Sequence, residues 1–124
     1  MSLEGKTAVI TGSNSGIGHG IAVELAKAGA DVVINSFTDS EQDHLLARAI
    51  ADATGVTARY IAADMSKPED CRALIAKAGR VDILVNNAGI QHVAPIAEFP
   101  TAKWDAILAI NLSSAFHTTA AALP

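Results

Sequence analysis

The chain has 124 residues, of which 50% are apolar and 4% aromatic, and its formal net charge is −4 from 9 basic and 13 acidic residues. This length predicts one domain, residues 1–124, with a core built mainly from Ala, Val, Ile and Leu. Because no cluster of Lys and Arg is present, nucleic acid and anionic membranes are excluded as expected partners.

The first half of the chain predicts two strand–helix pairs. KTAVIT, residues 6–11, is compact and β-branched, which is typical of a buried strand. Residues 16–29 carry apolar side chains at helical spacing and end at a glycine, so they predict a helix. Residues 31–37 predict a second strand, and residues 39–55 predict a second helix that also ends at a glycine.

The second half repeats the alternation. TARYIAAD, residues 57–64, predicts a third strand, and residues 66–79 predict a third helix. VDILVNNAG, residues 81–89, predicts a fourth strand that runs into a polar turn. Residues 100–123 predict one long fourth helix.

The order β-α-β-α-β-α-β-α predicts a parallel sheet with helices on its faces. Right-handed crossovers then give a doubly wound α/β sheet of the Rossmann type, with strand order 3-2-1-4. Because this fold is built from two βαβαβ halves, we expect the second half to be missing from the residues present. One edge of the fourth strand should then be unpaired.

Polar residues mark the expected helix starts. Asp39 or Ser40 precedes the second helix as its cap. Ser66 is the expected cap of the third helix, with Pro68 in the first turn, where a missing N–H costs little.

One face of the expected fourth helix is apolar. Helical spacing places Trp104, Ile107, Leu108 and Ala115 on one stripe, and Asn111 is its single polar member. We expect this stripe to be buried in the core or in an interface, so the Asn111 amide needs a hydrogen-bond partner.

TGSNSGIG, residues 11–18, lies between the first strand and the first helix and contains Gly12, Gly16 and Gly18. Glycine allows a sharp turn, and a helix N-terminus offers free N–H groups and a positive dipole end to a phosphate. The spacing is GxxxGxG rather than GxGxxG, and no Lys follows the last glycine, which excludes a Walker motif. A tight turn without a ligand is the alternative, but the flanking strand and helix favour a dinucleotide site.

The end of the second strand bears on the choice of cofactor, because an acid there often binds the ribose hydroxyls of a dinucleotide. Asn35, Ser36 and Phe37 precede the first acid, Asp39, and no Arg or Lys stands nearby to meet a 2′-phosphate. Ser15 in the glycine turn is not basic either. We therefore expect NAD rather than NADP, with Asn35 as a neutral contact to the ribose.

TGSNSGIG and VNNAG, residues 85–89, together resemble the motifs of the short-chain dehydrogenase/reductase family. The resemblance covers the whole chain but only about the first half of a family member. It implies an NAD-dependent oxidoreductase, in which Asp64 binds the adenine amino group and Asn111 is the helix asparagine of the family's Asn-Ser-Tyr-Lys catalytic set. The implied cofactor contacts are Gly12, Ser15, Gly16, Ile17, Gly18, Asn35, Asp64, Met65, Asn87, Ala88 and Gly89.

The segment that begins at NNAGIQH resembles members that interconvert 3-hydroxybutyrate and acetoacetate. The resemblance implies a small 3-hydroxy acid or 3-keto acid as substrate, with Gln91 at its carboxylate. An acetoacetyl/3-oxoacyl-type reductase of the same family is an alternative. Each residue also has a plainer interpretation: Asn111 could bond only a backbone carbonyl, Asp64 could only cap a helix, and Gln91 could be a solvated loop residue.

A non-catalytic chain that binds the dinucleotide, or acts only as a scaffold, is a second alternative. Family members carry a Tyr-x-x-x-Lys pair, whereas here Tyr60 is the one tyrosine and Asp64 occupies the lysine position. We therefore expect these 124 residues alone to be inactive as a dehydrogenase.

The remaining signals concern the compartment and the assembly. Cys71 is the only cysteine, which excludes an intramolecular disulfide, and the histidines show no metal-ligand spacing. The N-terminus lacks the layout of a signal peptide, and the apolar runs are too short for a membrane span. We expect a cytoplasmic protein with no bound metal.

The family resemblance implies a homo-oligomer, a dimer or tetramer, formed through the fourth helix.

Overall fold

The computed structural model describes residues 2–123, so Met1 and Pro124, the ends of the predicted domain, lie outside the described residues. The strands are β1 (Thr7–Ile10), β2 (Asp31–Ser36), β3 (Ala58–Ala62) and β4 (Ile83–Val85). The helices are α1 (Gly16–Lys27), α2 (Glu41–Thr54), α3 (Pro68–Ala78), α4 (Thr101–Leu108) and α5 (Ser114–Ala122). A short 3-10 turn, Ile96–Glu98, precedes α4.

The four strands form one parallel sheet in the order β3-β2-β1-β4, which confirms the predicted doubly wound topology. In the centre, Val9 of β1 pairs with Val33 of β2 on one side and with Leu84 of β4 on the other. The chain adds β2 and β3 outward from β1 and then returns to place β4 on the opposite side. The strand order therefore reverses at β1, and in such sheets ligands bind beside the carboxyl ends of the strands at this point.

The core lies in two layers, one on each face of the sheet, because alternate residues of a strand point to opposite faces. Ala8 and Ile10 of β1 pack with α1 and α2, whereas Val9 packs with α3. Cys71 belongs to the α3 layer, where its thiol is fully buried and burial raises its pKa. Small aliphatic residues dominate both layers, as the composition predicts.

The predicted N-terminal cap is present at the start of α2 but not at the start of α3. Ser40 caps α2: its side chain accepts the backbone N–H of Asp43, and the Asp43 carboxylate accepts the backbone N–H of Ser40. The prediction that Ser66 caps α3 is wrong, since Lys67 occupies that position and makes no side-chain cap bond. The Ser66 hydroxyl instead donates to the Asp64 carboxylate at 2.7 Å, an ionised acceptor that attracts it more strongly.

The predicted long fourth helix is interrupted. A π-helical turn, Ala109–Ser113, joins α4 to α5, and Asn111 lies at its middle. Residues on the inner side, including Ala121, pack against the α3 layer. The outer side is uncovered by residues 2–123, so the predicted stripe is not buried in the core of the chain: Trp104 is 55% exposed, Leu108 is 39% exposed, and Asn111 is also exposed. Burial of this stripe in an interface stays a prediction.

The outer strand β4 is only half-buried along its length, whereas three of the four residues of β1 are fully buried. Within residues 2–123, β4 has β1 as its one neighbour in the sheet. No helix in this described part of the chain is both long and apolar enough to cross a membrane.

Candidate functional site

A cavity of about 280 Å³ opens at the carboxyl ends of the strands, where the strand order reverses. Each of the four strands contributes residues to its wall from the turn that follows it. The structure thus brings together segments that are far apart in the sequence. The residues predicted from sequence that line it are Gly12, Ser15, Asn35, Asp64, Met65, Asn87, Ala88 and Gly89.

Gly12 in the turn after β1 and Gly18 in the first turn of α1 allow this segment to lie directly against the end of β4. Gly12 has φ +59°, and a Cβ at this residue would lie 2.8 Å from the Cα of Ala88. A Cβ on Gly18 would lie 2.4 Å from Nδ2 of Asn87 and 2.6 Å from the carbonyl oxygen of Gly12. All three separations are too short for a Cβ atom, so both glycines are required for this contact.

Hydrogen bonds also join the glycine turn, residues 11–18, to the end of β4, and we call this contact the junction. The Asn87 side chain donates to the carbonyl oxygens of Thr11 at 3.2 Å and Gly12 at 2.9 Å. The Thr11 hydroxyl accepts the backbone N–H groups of Asn87 and Ala88, each at 3.0 Å. These four bonds fix the glycine turn on the end of β4 and leave one rim of the cavity rigid.

The N-terminus of α1 begins at this rim and is not capped by a side chain. Ser15 occupies the cap position without a side-chain cap bond. The N–H groups of Gly16, Ile17 and Gly18 have no acceptor within residues 2–123. These three residues lie outside the cavity wall proper, next to Ser15, which lines it. An uncapped helix start of this kind can bind an anion such as phosphate.

Asn35 supports the glycine turn from the side of β2. Its side chain is fully buried, accepts the N–H of Gly12 at 3.2 Å and donates to the carbonyl of Ile61 at 2.9 Å. Because its amide is used inside the protein, this environment does not favour the ribose contact predicted for Asn35. Ser36 and Phe37, which follow it, are more accessible members of the wall.

Asp64 is the one charged residue of the cavity wall within residues 2–123. Its Oδ1 accepts the hydroxyl of Ser66 at 2.7 Å and the Ser66 backbone N–H at 2.9 Å. These hydrogen bonds, with a smaller contribution from the charge of Lys67, hold the pKa of the Asp64 carboxyl below its ordinary value. The group therefore stays ionised near neutral pH and can accept a hydrogen bond from an amino group in the cavity.

Asn111 lies outside the cavity wall, but it holds Ile90, a wall residue in the loop after β4. Its Nδ2 donates to the carbonyl of Ile90 and its Oδ1 accepts the N–H of Ile90, both at 2.8 Å. Ile90 lines the cavity, while the following residue, Gln91, is exposed and is not part of the wall. The structure therefore places Asn111 and Gln91 next to the cavity rather than in it.

Several wall residues were missed as sites from the sequence. Asn14 lies within the glycine motif and Ser36 is the last residue of β2, but only their position in the fold shows that they line the cavity. Ile110 comes from the π-helical turn, which had no signal in the apolar pattern. The missed residues are Asn14, Ser36, Phe37, Ala63, Ile90 and Ile110.

Comparison with known proteins agrees with this geometry. Residues 6–124 match the protein family described as short chain dehydrogenase. A D-beta-hydroxybutyrate dehydrogenase of Cupriavidus necator is 52% identical, and the match covers 98% of this chain and 48% of that protein. A 2-dehydro-3-deoxy-D-gluconate 5-dehydrogenase of Bacillus subtilis is 42% identical, with 95% of this chain and 46% of that protein covered.

This chain is also similar to a solved structure of a reductase. A 3-oxoacyl (acyl-carrier-protein) reductase from Agrobacterium tumefaciens, crystallised with NADP bound, has a TM-score of 0.88 and 37% sequence identity. The match covers 98% of this chain and 48% of that one. This chain spans about half the length of the curated relatives it matches.

The packing at Gly18 gives a testable prediction. Gly18→Ala should lower the free energy of unfolding by about 2 kcal/mol or more, because its methyl group cannot fit between Asn87 and Gly12. Urea unfolding followed by circular dichroism measures the difference.

Gly20→Ala is the matched control in the same helix, since a Cβ there meets nothing within 4 Å. Alanine is the better helix former, so this variant should be unchanged or more stable by up to about 1 kcal/mol. Equal stabilities for the two variants would contradict the described junction.

Proposed function

The chain belongs to the short-chain dehydrogenase family, and from this premise we propose that it binds NAD as part of an oxidoreductase. The proposed reaction interconverts a small 3-hydroxy acid, 3-hydroxybutyrate, and the corresponding 3-keto acid. The observation that carries the proposal is the cavity at the carboxyl ends of the strands, bounded by the uncapped start of α1. This is where a doubly wound sheet binds a dinucleotide.

The residues around the cavity fit the parts of a dinucleotide. The free N–H groups at the start of α1 would hold the phosphates, and the ionised Asp64 would accept the adenine amino group. The backbone of Asn87, Ala88 and Gly89 would border the cofactor. Nicotinamide supplies hydride transfer when it is bound, and the protein supplies binding and orientation.

The charge of the wall favours NAD over NADP. No Lys or Arg contributes to the wall within residues 2–123, and Asp64 adds a negative charge. The 2′-phosphate of NADP would therefore lose hydration without gaining a cation in return. NADP is the second candidate, since the similar reductase structure from Agrobacterium tumefaciens contains it.

The 3-hydroxy acid substrate is supported by the relative from Cupriavidus necator, whose name states that activity. Asn111 would act as a positioning residue, because it clamps both backbone polar groups of Ile90. This clamp sets the start of the exposed segment that carries Gln91, the proposed contact to the substrate carboxylate. A 3-oxoacyl-type reductase is the alternative within the family, supported by the solved neighbour of that name.

The proton-transfer groups of the family are not among these residues. Tyr60 is the one tyrosine of the sequence, and its hydroxyl donates to the carbonyl oxygen of Thr38 on the outer side of the sheet. Burial raises the pKa of Tyr60 above its ordinary value, which disfavours the phenolate. We propose that the 124 residues bind the cofactor without turning over substrate.

An apolar stripe along α4 and α5 supports the proposed homo-oligomer. This exposed stripe differs from the one predicted from the sequence, because its members stand at every fourth residue. They are between 39% and 68% exposed and are Trp104, Leu108, Leu112 and Phe116. Contiguous apolar surfaces of this kind usually mark interaction sites. We propose that a second copy of the chain covers this stripe.

Binding should distinguish the two cofactors. In isothermal titration, the chain should bind NAD, and NADP should bind at least about tenfold more weakly because its extra phosphate meets no cation. Asp64→Asn should weaken the binding of NAD, while Asp52→Asn, an exposed residue of α2, should leave it unchanged. Equal affinity for the two cofactors would contradict the proposed preference for NAD.

Turnover should be absent from the 124 residues alone. Absorbance at the wavelength of NADH, with 3-hydroxybutyrate and NAD supplied, should show no rate above that of the buffer. The reason is the lack of a tyrosine–lysine pair for proton transfer. A rate proportional to the concentration of purified chain would disprove this proposal.

Self-association should depend on the apolar stripe. Sedimentation across a dilution series should show an oligomer that Leu112→Glu dissociates, since a carboxylate in an apolar interface is strongly unfavourable. Leu45→Glu is the control, because Leu45 is also exposed but lies on α2. A monomer at all concentrations of the unmodified chain would exclude this interface.

A further inference from the structure

We propose that Asp43 determines which ribose the cavity accepts, by holding the Asn14 amide with its oxygen toward the ligand. An amide oxygen in that place selects a ribose with a free 2′-hydroxyl over one that carries a 2′-phosphate. The inference rests on the proposed function, because it needs a dinucleotide in the cavity. It assigns the selection to Asn14 of the glycine motif and to Asp43, which no motif includes.

Asp43 lies at the centre of a hydrogen-bond cluster that joins two turns. The carboxylate is only 5% exposed, and it accepts the Thr38 hydroxyl at 2.7 Å and both the N–H and the hydroxyl of Ser40 at 3.0 Å. Its other oxygen accepts Nδ2 of Asn14 at 3.2 Å. The bonds from Ser40 and Thr38 hold the pKa of the Asp43 carboxyl well below its ordinary value.

The bond from Asn14 is not explained by helix capping. The N-terminus of α2 is already satisfied by the reciprocal bonds between Ser40 and Asp43. Asn14 belongs instead to the glycine turn, 29 residues earlier in the chain. The contact therefore couples the start of α2 to the turn that borders the cavity.

The ionised carboxylate fixes the orientation of the Asn14 amide. A carboxylate only accepts hydrogen bonds, so the amide must turn its NH₂ group toward Asp43 and its oxygen the other way. The Asn14 oxygen has no donor within residues 2–123, and Asn14 lines the cavity. With its NH₂ group held by Asp43, the oxygen is the polar group of this side chain that remains for a ligand in the cavity.

The chemistry of the two riboses then decides the selection. A 2′-hydroxyl can donate a hydrogen bond to the Asn14 oxygen, whereas a 2′-phosphate is mostly dianionic at neutral pH and has little to donate. The negative charge of Asp43 behind the amide adds repulsion to the phosphate. The hydrogen bond favours NAD, and the repulsion opposes NADP.

The test is the ratio of the dissociation constants of NADP and NAD, measured by isothermal titration on the 124-residue chain. Asp43→Asn removes the charge and allows the Asn14 amide to turn its NH₂ group outward, so the ratio should fall about tenfold. Asn14→Ala removes the acceptor and should lower the ratio through weaker binding of NAD. Asp52→Asn, the same chemical change at an exposed position of α2, should leave the ratio unchanged.

The double variant separates positioning from a structural role. If Asp43 acts through Asn14, Asp43→Asn should change the ratio much less when Asn14 is already Ala. The inference is overturned if the ratio in Asp43→Asn equals that of the unmodified chain, which includes the case in which both dissociation constants change by the same factor. Asp43 would then only stabilise α2.

The remaining outcomes are also decisive. If Asp43→Asn does not fold, as judged by circular dichroism, the ratio of Asn14→Ala decides, and an unchanged ratio overturns the inference. If the unmodified chain binds neither cofactor, the proposed function fails and the inference fails with it. Binding of NAD with a ratio that is insensitive to Asp43 and Asn14 overturns the inference alone.

Discussion

The attachment of the glycine turn to the end of β4 is the constraint on which the site depends. Two elements about 75 residues apart in the sequence are joined by the side chains of Asn87 and Thr11 and by the missing Cβ of Gly18. A larger residue at Gly18 would displace Asn87, and loss of Asn87 would leave buried carbonyl groups without donors. The rim of the cavity and the direction of α1 both follow from this junction.

Other asparagine side chains near the cavity also bond backbone groups through their amides. Asn35 supports the glycine turn from β2, and Asn111 clamps the backbone of Ile90. Each amide satisfies a backbone group in a turn or loop, the N–H of Gly12 or both polar groups of Ile90, because buried polar groups need partners. Asn14, like Asn87, uses only its NH₂ group, which it donates to Asp43, and its oxygen has no donor within residues 2–123. Asn35 and Asn111 are thus bonded through both amide groups, whereas Asn14 keeps its oxygen for a ligand.

Much of this fold could be predicted from the sequence, because alternating apolar segments and glycine stops fix the order of strands and helices. The glycine turn and the residues after β4 could be found by motif. The sequence could not show that Asn35 turns inward, since that depends on the register of β2 beside β1. Nor could it show the π-helical turn at Asn111, because the apolar spacing alone fits an unbroken helix.

Binding and reaction are separable in this architecture. The carboxyl ends of four strands already enclose a cavity with an uncapped helix start and an ionised carboxylate, which are groups that recognise a ligand. None of them is a proton donor poised at neutral pH, and Tyr60 lies on the far edge of the sheet. The similar relatives are about twice as long as this chain. The proposed selectivity for the cofactor therefore depends on binding groups alone and not on a proton-transfer group.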